Sequence, residues 1–226
     1  MARIPAAERR AELVAAAVRV IAAEGVDGAT TRRIAQEANA PLATLHYCFS
    51  TKEVLFAAVF EHVAEQYREV LTHCEVHADV ATTARALLRG LMEWYLVNPD
   101  FGAAIIELIS WGQRQQGRQA EMVYNEAFAT MRTILETVAT EAGQTVEPDT
   151  LDALTYIVSA LSDGFALNWL VFTDRTATAS QIELTLGVLD AWIAANLGGA
   201  AAPAVTVPQV STEQTLRSLV SWVNVK

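Results

Sequence analysis

The chain has 226 residues, 52% hydrophobic and 19% charged, with 11 Gly and 6 Pro, a composition that excludes a disordered or collagen-like protein. Two cysteines, Cys48 and Cys74, give no disulfide framework. Apolar runs are broken by charge before the roughly 18 residues of a membrane span, and Met1–Arg10 lacks the apolar stretch of a signal peptide, so no membrane partner is expected; the cysteine usage makes a reducing cytoplasm the expected location.

The net charge of −10 argues against a nucleic-acid partner until its distribution is considered. Residues 1–55 hold seven basic side chains (Arg3, Arg9, Arg10, Arg19, Arg32, Arg33, Lys52) against six acidic ones (Glu8, Glu12, Glu24, Asp27, Glu37, Glu53). The remainder holds nine basic and twenty acidic residues. A near-neutral end is joined to an acidic body that repels phosphate, so any DNA contact belongs to the N-terminal end. The small positive excess predicts few phosphate contacts per subunit and therefore a need for two subunits.

In chain order, Ala6 to Glu24 carries Leu13, Val14, Ala17, Val18 and Ile21 at helical spacing, with Gly25 suited to a C-cap. Thr30 or Thr31 can cap a second helix of about two turns that ends at Ala38. Asn39-Ala40 reads as a tight turn, because Asn tolerates the left-handed region. Pro41 suits the first position of a third short helix running to Cys48. Thr51 caps a fourth helix that runs to about Cys74, with Glu53 early in its first turn. Further helices are expected over Asp79–Val97, Phe101–Gly112, Gln119–Gly143, Asp149–Thr173 and Ala179–Asn196. No stretch alternates convincingly as a strand. Gly198–Pro208 has linker composition, and Ser211-Thr-Glu-Gln214 is a capping-box pattern ahead of an apolar tail helix.

Two helices of two turns joined by a short turn match the size of a helix-turn-helix, whose second helix fits a major groove roughly 12 Å wide. The run Thr30-Thr-Arg-Arg-Ile-Ala-Gln-Glu-Ala38, the turn Asn39-Ala-Pro41, and Leu42-Ala-Thr-Leu-His-Tyr-Cys-Phe-Ser-Thr-Lys-Glu-Val-Leu55 resemble the signature of the tetracycline-repressor (TetR) family. The close resemblance covers about residues 10–56. Asn39 and Ala40 depart from the usual Gly-Val, Ala43 from Gly or Pro, and His46 from a frequent Tyr. Each replacement is small or compatible with a turn.

The residues can be weighed singly. Thr31 and Arg32 open a helix whose free N–H groups favour phosphate, although such a pair elsewhere is mostly a cap. The resemblance implies a Thr31 hydroxyl on phosphate and Arg32 at a guanine edge or the backbone. In the third helix Leu42, Ala43, Thr44, His46 and Tyr47 are expected to project outward, while Leu45 and Phe49 anchor the core. The alternative places Leu42 and Tyr47 in the core as well. An outward Leu42 beside Ala43 would suit thymine methyl groups, so specificity is expected to lean on these, on Arg32 and on DNA shape. Lys52 matches the family's phosphate clamp; elsewhere it would read as a surface lysine.

The expected fold class is therefore all-α, with a three-helix helix-turn-helix domain at residues 1–50. A helical ligand-binding and dimerisation domain at 51–198 and a linker with tail helix at 199–226 complete it. Ligand contacts are expected from Trp94, Glu107, Trp111, Met122, Phe128, Phe165, Asn168 and Trp169, although a Met and aromatic set at helical spacing is more often core. Helices at about 149–173 and 179–197 are apolar on more than one face and need a second partner, which the resemblance makes a homodimer. The Ser162-Asp-Gly164 step is expected to admit a closely approaching helix. His73, Cys74 and His77 could share a metal, but solvated surface histidines suit the spacing better. No phosphate loop, nucleophile elbow or cofactor motif argues for an enzyme. An interaction module would explain the acidic body but not the Thr30–Lys52 block. The resemblance implies a regulator, more commonly a repressor, that binds a pseudo-palindromic DNA operator and is released by a small-molecule effector.

Overall fold

A computed structural model describes residues 5–74, 79–114, 118–172 and 176–197. The linker and capping-box tail helix expected beyond residue 198 lie outside the described residues, as do His77 and the helix end expected at Thr173. The described residues form α-helices with no strand: α1 Ala6–Gly28, α2 Thr31–Glu37, α3 Leu42–Cys48, α4 Lys52–His73, α5 Val80–Val97, α6 Pro99–Arg114, α7 Arg118–Glu141, α8 Pro148–Val171 and α9 Thr178–Asn196.

The first three helices are set by local chemistry. Leu13, Val14, Ala17, Val18 and Ile21 are buried on one face of α1. Gly25 takes φ 71° and ψ 172°, outside the helical region, yet Val26–Gly28 resume a helical turn. The residue read as a terminal cap is thus an interruption, because buried Val26 draws the chain back onto the core. Thr30 caps α2, its hydroxyl accepting from the Arg33 backbone N–H at 3.2 Å. Asn39 makes the turn with φ 48°. Pro41 flanks α3 as its cap with φ −58° and ψ 139°, one residue outside the position expected for it. Thr51 caps α4 by accepting from the Val54 N–H.

The later helices enclose one another. α5 runs through the body with Leu87, Leu88, Leu91, Met92 and Tyr95 buried, and it packs against α4, α6, α7, α8 and α9. Arg85 and Arg89 on its outer side pair with Glu183 and Asp190, which holds α9 in place. Arg68 joins α4 to α7 through Glu126 at 2.8 Å, and Arg132 joins α7 to Asp152 of α8. The expected start of α6 at Phe101 moves to Pro99, since proline fits a helix's first turn. The most extensive helix pairing is α1 against α6, so the N-terminal unit rests on the body through α6 as well as through the continuous α4.

Among the described helices α8 alone is long and apolar enough to cross a membrane by length and composition. Part of that character is spent inward, where Leu151, Leu154, Val158 and Phe165 are buried. The rest forms an outer stripe of Tyr156, Leu167 and Val171, each at least half exposed. Gly164 lies in that stripe with nothing within 4 Å of a Cβ built on it. The close helix approach expected at Gly164 is therefore absent within one chain, because the residue faces outward. On α9, Leu184 and Val188 are also exposed.

Candidate nucleic-acid interface and effector cavity

At the N-terminal end, Leu45 and Phe49 are wholly buried and fix α3 onto α1 and α2. On its opposite side Ala43 and His46 are exposed and Tyr47 is 80% exposed. Leu42 and Thr44 are half-buried, and Leu42 packs against the core. The expectation of a freely outward Leu42 is corrected to that extent: the first turn of α3 lies close to its neighbours, and the leucine shares its surface between core and solvent.

The basic residues at this end divide by role. Arg33 reaches Glu24 at 2.6 Å and Glu37 at 3.2 Å, while Arg19 reaches Glu37 at 3.0 Å. Hydrogen bonds from Arg19 and then Arg33 hold the Glu37 carboxyl below its usual range. Arg10 donates from Nη1 to the Cys48 carbonyl at 2.9 Å and lies 4.1 Å over the Phe49 ring, satisfying the last turn of α3. Lys52 extends across Phe56 toward the Val26 carbonyl at 3.5 Å and is half-buried. Thr31 is half-buried at the start of α2. Arg32 is exposed and forms no ion pair among the described residues. Sequence counting treats these cations alike; their neighbours separate them.

None of the eight residues expected at the ligand site lines a described cavity. Trp94 packs edge-on against Phe101, with ring centroids 4.5 Å apart, and Trp111 packs on Phe56 and Phe60. Phe165 is buried, while Trp169 and Phe128 are half-buried against the core. Glu107 is exposed beside Gly25, Met122 is exposed, and Asn168 donates its amide to the Gly164 carbonyl. Large rings fill space, so they make cores more readily than voids.

The cavities lie elsewhere. A narrow inner void of about 20 Å³, room for roughly one water, is bounded by Tyr67, Leu71, Leu91, Met131, Ser159 and Ser162. An outer depression of about 320 Å³ opens between α6 and α8, over Tyr95, Gly102, Ile106, Ser110, Ala166 and Leu167. Both share Ile105, Ile109, Tyr124 and Asp163. Tyr124 donates its hydroxyl to Asp163 Oδ2 at 2.8 Å, and the hydroxyls of Tyr67 and Tyr95 bond to each other. Burial pushes the Asp163 carboxyl above its ordinary value, an effect the Tyr124 hydrogen bond only partly offsets. The sequence signal was present: Ser159, Ser162, Asp163 and Ala166 follow the spacing of one helix face, and a carboxylate on that face needs a reason.

Among the described residues no group of three or more His, Cys, Asp or Glu is placed to hold a metal. His73 Nδ1 lies 2.7 Å from the Glu69 carbonyl, and Cys74 donates to that of Val70.

A short helix anchored from beneath and exposed above, preceded by a second short helix and set on an all-helical body, is the arrangement of a helix-turn-helix domain. Residues 13–59 match the family model described as bacterial regulatory proteins, tetR family. Over 150 residues the chain is 30% identical to the HTH-type nicotine-responsive transcriptional repressor HdnoR of Paenarthrobacter nicotinovorans, covering 64% of this chain and 76% of that one. The chain belongs to the tetR family. It is also 27% identical over 134 residues to the HTH-type transcriptional repressor NicS of Pseudomonas putida, covering 56% of this chain and 61% of that repressor's length. The structure of a tetR-family member from Streptomyces coelicolor superposes with a TM-score of 0.61 at 27% identity, over 80% of this chain and 98% of the other.

Proposed function

We propose that two copies of the chain bind a pseudo-palindromic operator and repress transcription until a small molecule releases them. The α3 helices enter successive major grooves about 34 Å apart, one turn of B-DNA. Ala43, His46 and Tyr47 face the bases, with Thr44 and the exposed part of Leu42 at the edge. Thr31, Arg32 and Lys52 contact phosphate or flanking positions. The observation that carries this reading is the 80% exposure of Tyr47 on a helix whose Leu45 and Phe49 are wholly buried. A large aromatic ring left in water on a rigid mount suits a surface that another molecule covers.

The dimer forms through the outer stripes of α8 and α9, where Tyr156, Leu167, Val171, Leu184 and Val188 are exposed together. The effector occupies the outer depression beside Asp163, and the nicotine-responsive relative supports release by a small molecule. Both routes from cavity to DNA are short: Tyr67 lies on α4, which begins at Lys52, and Ile105 and Ile109 lie on α6, which rests on α1. Movement of either helix changes the separation of the two α3 helices. The regulator acts in the cytoplasm, where its operator lies, and has no catalytic step.

Selection of bound sequences from random duplexes with the purified chain tests this reading. A palindromic consensus whose affinity falls steeply with salt is expected. Absence of any enriched sequence overturns it.

A further inference from the structure

The wall shared by the inner void and the outer depression carries one charged group, Asp163, and its surroundings restrict what binds there. The carboxylate accepts one hydrogen bond, from Tyr124 to Oδ2, and is ion-paired with no described cation. The depression beside it is lined by isoleucines, tyrosines and small residues, with no lysine, arginine or histidine. A carboxylate taken from water without a counter-charge is unfavourable, and a bound molecule that excludes more water raises that cost unless it brings the missing charge. An anionic ligand adds repulsion, while a neutral one leaves Asp163 unpaired. A cation removes the cost, and tyrosine rings beside it add attraction through their electron-rich faces.

We propose that the effector is a small organic cation, a protonated amine whose N–H bonds Asp163 beside Tyr124 and whose apolar body lies on Ile105, Ile106 and Ile109. This rests on the reading that a ligand in this cavity controls DNA binding. The outer depression, at about 320 Å³, is near the lower limit for small-molecule sites, so the ligand is compact. Tyr124 (from α7), Tyr95 (α5) and Tyr67 (α4) are the titratable groups facing Asp163, and burial keeps all three phenols protonated well into the alkaline range. Asp163 is then the protein group here whose ionisation sets the pH dependence of amine binding.

The test uses the full chain and three probes of similar shape: N,N-dimethylbenzylamine as cation, isobutylbenzene as its neutral carbon counterpart, and phenylacetate as anion. Each is titrated by calorimetry and against the chain bound to its selected duplex. The expected result is that the amine binds at least about tenfold more tightly than either other probe and releases the DNA. Asp163→Asn, which still accepts from Tyr124, should bind DNA as the parent does but lose the amine response. Amine affinity should also weaken as acid protonates Asp163. Release by isobutylbenzene or phenylacetate as effective as by the amine, or a full amine response in Asp163→Asn, overturns the cation assignment and leaves ligand control standing. If no probe binds, the assignment and the placement of the effector in this cavity both fall.

Discussion

Adjacent arginines at the start of α2 give the sharpest separation of DNA contact from folding. Arg32 is exposed without an ion pair among the described residues, whereas Arg33 links Glu24 of α1 to Glu37 of α2. Arg32→Ala should leave the melting temperature unchanged and remove one phosphate contact per subunit. The slope of log affinity against log salt shallows by about 0.9 for each phosphate no longer neutralised, or about 1.8 for a dimer. Between about 50 and 200 mM salt, the variant should therefore lose about twelvefold less affinity than the parent. Arg33→Ala should instead lower the melting temperature, because it leaves Glu24 and Glu37 beside each other with only Arg19 to offset them. Fluorescence anisotropy on the selected operator at several salt concentrations, beside calorimetry of the free proteins, reads both effects. If Arg32 reads a guanine edge, the slope holds and preference at one base pair relaxes. A parent-like slope together with parent-like sequence preference in Arg32→Ala would refute the assignment.

Other consequences are as direct. Leu184→Glu combined with Val188→Glu puts four charges into the proposed dimer seam and should yield monomers in sedimentation; operator affinity should drop by about two orders of magnitude because a lone subunit neutralises half as many phosphates, and an intact dimer would count against the seam. Leu45→Ala removes a wholly buried anchor of α3 and should cost about 2–5 kcal/mol in denaturant unfolding, with a loss below about 1 kcal/mol contradicting its anchoring role. Gly25→Ala forces a side chain into φ 71° and ψ 172°, a region that is essentially glycine's alone, and should destabilise by about 1–3 kcal/mol, whereas an unchanged midpoint would mean the interruption relaxes into helix. For Asp163, burial raises the folded-state value, so its favourable contribution is fully present below the unfolded value and is lost as pH rises through the raised one. Asp163→Asn without ligand should therefore melt above the parent at about pH 7, with the gap closing toward about pH 4; a gap that is constant with pH would show that ionisation is not the cause.

The N-terminal unit was readable because its determinants are neighbours in the chain. Thr30 and Thr51 cap by bonding N–H groups three residues on, Asn39 turns the chain through its own φ, and Leu45 and Phe49 are one helical turn apart. The cavity is not legible in the sequence, because aromatic content marks packing residues instead. Trp94, Trp111 and Phe165 are large, and in a dense interior a large apolar ring is matched by neighbours that fill the space around it. The space left open is bounded instead by Ile105, Ile109, Ser159, Ser162 and Asp163, whose coming together depends on how α6 and α8 are set against α7.

By itself, the sequence determined the helical class, the helix-turn-helix and the unpartnered apolar faces of the last two helices, since each is encoded within a few turns of one segment. Only the tertiary structure decided which arginines are already committed to carboxylates, how far Leu42 turns inward, and that Asp163 stands at a shared cavity wall. Those outcomes depend on contacts between residues far apart in the chain, and helical periodicity specifies which face is buried without specifying what it meets.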